Sequence, residues 1–303
     1  MKAHRIIWGG LTLLVLTISL ALLAGCGGGG ESITSTQPVN GTISGTAVKG
    51  PVANAMVTCF SINADGTKGN MIGTGQTDGQ GNYSIPMGDY SGPVLCQMTG
   101  GSYMDEATGM NMNMLQNDIM TCVIPSMSAG STVSGIQMTP MTSMAQSMAQ
   151  NMLGGMTQSN ITQANNSMGS YFGINDILHT VPMNPAINGS GTAANQDMKN
   201  YGMTIAAMSQ YAKDIGMPFS SGMVTAMMND ASDGHMNGMM GNSGVMIGGG
   251  MMGGTMMAPN AGTTGLADAM MKFIQSPMNK SGVTVQDMGN LINKLSTSNG
   301  IIQ

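Results

Sequence analysis

The side chains able to do chemistry in this sequence are soft ones. Methionine occurs 38 times in 303 residues, beside four cysteines and three histidines. Thioether and imidazole together suit Cu(I) and the similar Ag(I), whereas Ca²⁺ and Mg²⁺ want oxygen ligands. The densest set is His235, Met236, Met239 and Met240, with Met251, Met252, Met256 and Met257 as further donors. A second run, Met110-Asn111-Met112-Asn113-Met114, carries a thioether at every other position. On a strand such neighbours sit about 6.7 Å apart, so one ion would need converging side chains or a cross-strand partner. Other methionines follow helical spacing and are core residues standing in for leucine, which Met nearly matches in helix propensity.

The charged inventory excludes several function classes. Charged residues are 8% of the chain, and the only arginine is Arg5. Beyond residue 25 there are seven Lys against fourteen Asp and Glu, a balance of −7. Phosphate and nucleic-acid recognition lean on Arg forks and basic patches, so no nucleic-acid partner is expected. Beyond the leader only His179 and His235 remain, and there is no H-E-x-x-H, G-x-S-x-G, Walker loop or C-x-x-C. General acid-base chemistry has little to work with, and an enzyme is not expected.

The N-terminus states a location. Lys2, His4 and Arg5 precede an apolar run from Ile6 to Ala24, the order of a secretory signal. Leu23-Ala24-Gly25-Cys26 resembles the lipobox of bacterial lipoproteins, which implies cleavage before Cys26 and lipidation of its sulfur. Several acyl chains make such an anchor stable. Residues 1–25 are thus a signal peptide and 26–40, opening with Gly27 to Gly30, a flexible tether. The resemblance implies a lipid-anchored protein of the cell envelope, in the outer membrane if there are two, since no Asp follows Cys26.

Residues 41–126 have β texture. Short Val, Ile, Thr and Tyr runs are punctuated at Asn63-Ala64-Asp65-Gly66, Asp78-Gly79-Gln80-Gly81 and Gly100-Gly101, which suggests a small antiparallel sandwich. Alternation puts Val57 with Cys59 on one face, and Val94 with Cys96 and Met98 on another, so these cysteines point into the core. Cys59, Cys96 and Cys122 make an odd number. At least one thiol is free or paired between chains, or all three are small core hydrophobes.

Gly45-Thr46-Ala47-Val48-Lys49-Gly50-Pro51-Val52, Ala55-Met56-Val57 and Thr77-Asp78-Gly79-Gln80-Gly81-Asn82-Tyr83 resemble the carboxypeptidase regulatory-like domain. Gly100-Gly101-Ser102-Tyr103-Met104-Asp105-Glu106-Ala107-Thr108-Gly109 is similar to bacterial lipoproteins with this module at the front. The resemblance implies a prealbumin-type β-sandwich, a helical region behind it and a non-catalytic accessory role. The Met110–Met114 run resembles the methionine motifs of copper-handling proteins.

From Met138 the period is helical, and residues 137–303 form a Met-rich helical domain. Thr139-Pro140 caps a stripe of Met141, Met144, Met148 and Met152; Ile161, Ala164, Met168 and Phe172 stop at Gly173. Met198, Tyr201, Ile205, Met208, Ala212 and Ile215 form the clearest stripe. Leu266, Met270 and Phe273 precede Pro277, and Val285, Met288, Ile292 and Leu295 follow a Thr284-x-x-Asp287 cap. Residues 234–257 form a Gly/Met-rich stretch without period, expected as a mobile loop. Asn229 to Gly234 is a poor calcium loop, with Ala231 and Met240 where oxygen ligands belong. The fold class is therefore α+β, a small antiparallel β-sandwich followed by a helical bundle. Three functions fit: a structural or interaction lipoprotein with envelope protein partners, a Cu(I)/Ag(I) binder or buffer, and a methionine-based oxidant sink.

Overall fold

β1 (Gly41–Ala47) buries Ile43 and Ala47, as the period of two requires on a covered strand face. In the computed structural model, which describes residues 40–115, 117–248 and 254–303, it is the middle strand of three. β4 (Asn82–Gly88) pairs with it antiparallel, burying Tyr83, Ile85 and Met87. On its other side runs β9 (Thr132–Met138), parallel to β1 and beyond the stretch where the sequence suggests strands. The close approach explains Gly45: a Cβ there would lie 1.7 Å from the carbonyl oxygen of Ile136.

β2 (Met56–Ile62), β3 (Lys68–Gln76), β5 (Gly92–Thr99) and β8 (Ile119–Met127) form an antiparallel sheet of four strands in the order β3-β2-β5-β8. A hairpin of β6 (Ser102–Met104) and β7 (Asn111–Asn113) stands apart from both sheets. Val57, Cys59, Val94, Cys96 and Met98 are fully buried, as their alternation predicts. Leu95 and the run Met120 to Ile124 are buried as well, because helices cover the far side of β8.

Helix ends follow local chemistry. α1 (Pro140–Asn151) starts at Thr139, whose side chain and that of Thr142 each accept from the other's backbone N–H. α2 (Gln158–Phe172) is capped by Thr157 and stops at Gly173 in the left-handed region, φ 63°. Thr142, Ser143 and Asn165 of these helices bond to the backbone of Thr121 and Val123, so the edge of β8 is satisfied by helix side chains. α3 (Gln196–Asp214) is capped by Asn195. α4 (Ser221–Ala231), which the sequence reading leaves out, has no side-chain cap. α5 (Thr264–Ile274) lies against α3, and α6 (Gly289–Ser296) starts later than the bonded Thr284–Asp287 pair suggests. The fold is α+β, and among the described residues no helix is long and apolar enough to cross a membrane.

The stretch expected as a period-free mobile loop is partly ordered into sheet. β10 (Met239–Met240) pairs with β11 (Ser243–Gly244), and β12 (Met246–Ile247) with β13 (Thr255–Met256). A short alternation escapes the sequence reading: Val245 and Ile247 are buried while Met246 is exposed. The signal segment, Cys26, the tether to residue 39, Met251 and Met252 lie outside the described residues.

Candidate functional site

The soft donors divide between core and surface. Met236 and Met257 are each 1% exposed, so they are packing residues and their sulfurs are closed to a solvent ion. Met239 is half-buried, and Met240 and Met256 are exposed. His235 is fixed by an antiparallel bridge to Ile301, with Nδ1 3.2 Å from the carbonyl oxygen of Asp233. The Met110–Met114 run also splits. Met110 is exposed, Met112 places its sulfur 3.8 Å from the Tyr103 hydroxyl, and Met114 is buried. Among the described residues no three His, Cys, Asp or Glu side chains are grouped to hold an ion.

A second constellation joins residues to which the sequence assigns no role. Lys49, between β1 and β2, has no exposed surface, and its Nζ lies 2.9 Å from Glu106 Oε2 and 3.8 Å from Asp105 Oδ2. The ammonium also donates to Ser209 of α3 and, at 3.0 Å, to Ser220 at the start of α4. Ser209 donates to Glu106 at 2.6 Å, and Ser220 donates to Asp105. Tyr103 shares a 3.1 Å hydrogen bond with Ser220, and next to it Ser221 donates to Asp118 at 2.6 Å. Each of the three ammonium donors thus has an acceptor, the condition for tolerating a charge away from water.

Serine beside lysine is a nucleophile–base pairing only if the lysine is neutral. Here burial opposes the charge, but Glu106 outweighs it with help from Tyr103 and Asp105, and Lys49 is held above its ordinary value. Both serine hydroxyls are committed to carboxylates. The cluster's chemistry is therefore cohesive: it ties the β6–β7 hairpin and the β1–β2 connection to α3 and α4. The available signal is a lysine, one of eight in the chain, placed inside the run Ala47-Val48-Lys49-Gly50-Pro51-Val52. Glu106 also borders a groove of about 250 Å³ whose rim includes the exposed Met104, Val181 and Ile187.

The cysteines form a row across three strands. Cys59 pairs in register with Cys96, and Cys96 with Cys122. Cys59 and Cys96 are joined as a disulfide, which agrees with their expected shared facing, and Cys122 is a free buried thiol. Burial pushes the Cys122 thiol up to about 12. It is therefore a packed thiol and not an activated one.

No family model matches the chain, and no curated protein matches it. Among solved structures, a 9R-lipoxygenase from Cyanothece PCC8801 aligns over 67% of this chain and 26% of its own, at 10% identity and a TM-score of 0.20. The chain thus spans about a quarter of that protein's length, at a similarity too low to indicate a common fold or activity.

Proposed function

We propose that this chain is a lipid-anchored, non-catalytic module of the cell envelope, in the outer membrane where there are two, with a structural or interaction role toward envelope proteins. In this reading Cys26 carries the lipid and residues 26–40 are a leash. The two sheets form the prealbumin-type sandwich of a carboxypeptidase regulatory-like domain, with the helices as a bundle behind it.

The observation that carries the reading is the Cys59–Cys96 disulfide. Disulfides persist in oxidising compartments and are rare in the cytosol, so the bond agrees with export through a leader ending at Gly25. Intact-mass measurement of detergent-extracted protein is expected to give residues 26–303 plus acyl chains. Cys26→Ala protein is expected to remain uncleaved or to leave the lipidated fraction. Normal maturation and unchanged membrane retention of Cys26→Ala would overturn the anchor.

A further inference from the structure

Three short segments meet in a miniature sheet. Residues 243–247 pair with the other two in turn, with β10 through β11 and with β13 through β12. Val245 closes the gap between the ladders: its N–H donates to Gly238 at 2.9 Å and its carbonyl accepts from Met257 at 2.8 Å. One face of this sheet is core, with Val245, Ile247 and Met257 no more than 3% exposed. The other face carries Gly244 and Met246, two residues apart along residues 243–247.

Register places thioethers on the face that carries Gly244, with the methyl end of Met246 toward Gly254. Met239 stands directly across from Gly244 on β10, and Met256 directly across from Met246 on β13. Directly opposed residues project to the same face, with Cβ atoms about 4.5–5.5 Å apart. Gly244 supplies the space between them: a Cβ there would lie 2.5 Å from the Met256 sulfur. The Met256 thioether therefore lies over the glycine that faces Met239. Met246 and Met256 are 45% and 61% exposed, so the cluster is open to an ion from solvent. These are the cross-strand partners that a single strand of alternating methionines lacks.

The strand bearing Met239 is held from below. Asp230 Oδ1 accepts the N–H groups of Asn237, Gly238 and Met239 at 3.0, 2.6 and 3.2 Å. Fixing the backbone before binding reduces the ordering cost that a free loop would incur.

We propose that Met239, Met246 and Met256 form a binding site for a soft monovalent cation, Cu(I) or Ag(I), over Gly244. Three thioethers offer the low-coordinate sulfur environment that such d¹⁰ ions accept, and they have no charge to attract Ca²⁺ or Mg²⁺. Of the described donors expected in this stretch the site keeps Met239 and Met256, adds Met246 and leaves out His235, Met236, Met240 and Met257, and it is independent of the anchoring at Cys26.

The test is anaerobic competitive titration of the full mature chain with Cu(I), and separately with Ag(I). Met239→Leu/Met246→Leu/Met256→Leu is expected to weaken binding at least tenfold with its unfolding midpoint nearly unchanged, since Met-to-Leu swaps conserve volume. Gly244→Ala, which displaces only the movable end of Met256, is expected to weaken binding while leaving the fold intact. Met236→Leu in the core and Met110→Leu on the β6–β7 hairpin are expected to bind as the parent does. No binding by the parent, equal binding by the triple variant, or an equal loss in either control would overturn the site.

Discussion

Lys49 and Glu106 meet at 2.9 Å between strand-rich and helical segments, with side chains 0% and 5% exposed. Ser209 of α3 and Ser220, just before α4, complete the ammonium's coordination, so this ion pair fastens one part of the chain to the other. Lys49→Met fills the volume but leaves Glu106 and Asp105 buried beside each other without a cation. Breaking one side of a buried pair costs about 3–5 kcal/mol. Urea unfolding is expected to show that loss for Lys49→Met, and a smaller one for Lys49→Met/Glu106→Gln, where the closer uncompensated charge is gone. Equal losses in both proteins would mean that charge pairing is not what the cluster contributes.

The cysteine row gives a chemical prediction. Cys59 and Cys96 close a loop across a sequence separation of 37 residues, and a loop of that size restricts the unfolded chain by about 3–4 kcal/mol. Cys59→Ala/Cys96→Ala is expected to lose stability on that order. Cys122, fully buried and with its thiol pushed up to about 12, is expected to resist alkylation at pH 8 until the protein is unfolded. Urea unfolding reads the first point and non-reducing peptide mapping of the alkylated protein the second, and a Cys96–Cys122 link in native protein would contradict the pairing.

The sequence displays those parts of the fold that repeat a local pattern. The Met141, Met144, Met148 stripe behind Thr139-Pro140 is a helix that starts where its cap places it. Alternation at Val57 and Cys59 likewise marks a buried face. β9 escapes because Thr132–Met138 contains Ser and two-sided exposure at its start, and its place is set by a parallel pairing with β1 about ninety residues earlier. α4 escapes because it lacks a cap and is apolar on most sides. The Lys49 cluster and the Met239, Met246, Met256 grouping are long-range meetings. Composition supplies their chemistry, but only pairing and burial separate Met256 at the surface from Met257 in the core.

That separation predicts the order of oxidation. Met71, Met110 and Met256 are 63%, 61% and 61% exposed, whereas Met141, Met144, Met168 and Met208 have no exposed surface. Dilute peroxide is expected to convert the first three to sulfoxide while the buried four stay reduced, because a polar sulfoxide does not fit a close-packed core. Peptide mass mapping over time reads the order. Comparable rates at Met141 and Met110 would show that the core opens on the time scale of the reaction, and would favour an oxidant-sink role drawing on the whole chain.

Asp230 gives the pH dependence. Its side chain is buried, Oδ1 accepts three N–H groups, and Oδ2 has no hydrogen-bond partner. Burial pushes this carboxyl up to about 6, with the negative charge of Asp233 acting in the same direction and the three N–H groups against it. In the unfolded chain its ordinary value is about 3.9. Well below pH 4 the group is protonated in both states and imposes no penalty; between about pH 4 and pH 6 the unfolded chain ionises while the folded protein keeps its proton, so stability is lost across that window, and above it the folded protein holds a buried carboxylate. A displacement of about two pH units corresponds to about 3 kcal/mol. Asp230→Asn keeps an acceptor for the three N–H groups and removes the ionisation. The variant is expected to be more stable than the parent at pH 7 by up to that amount, with the gap closing toward pH 4. Urea midpoints for both proteins between pH 4 and 7 measure it, and a gap that does not change with pH would assign the difference to packing instead.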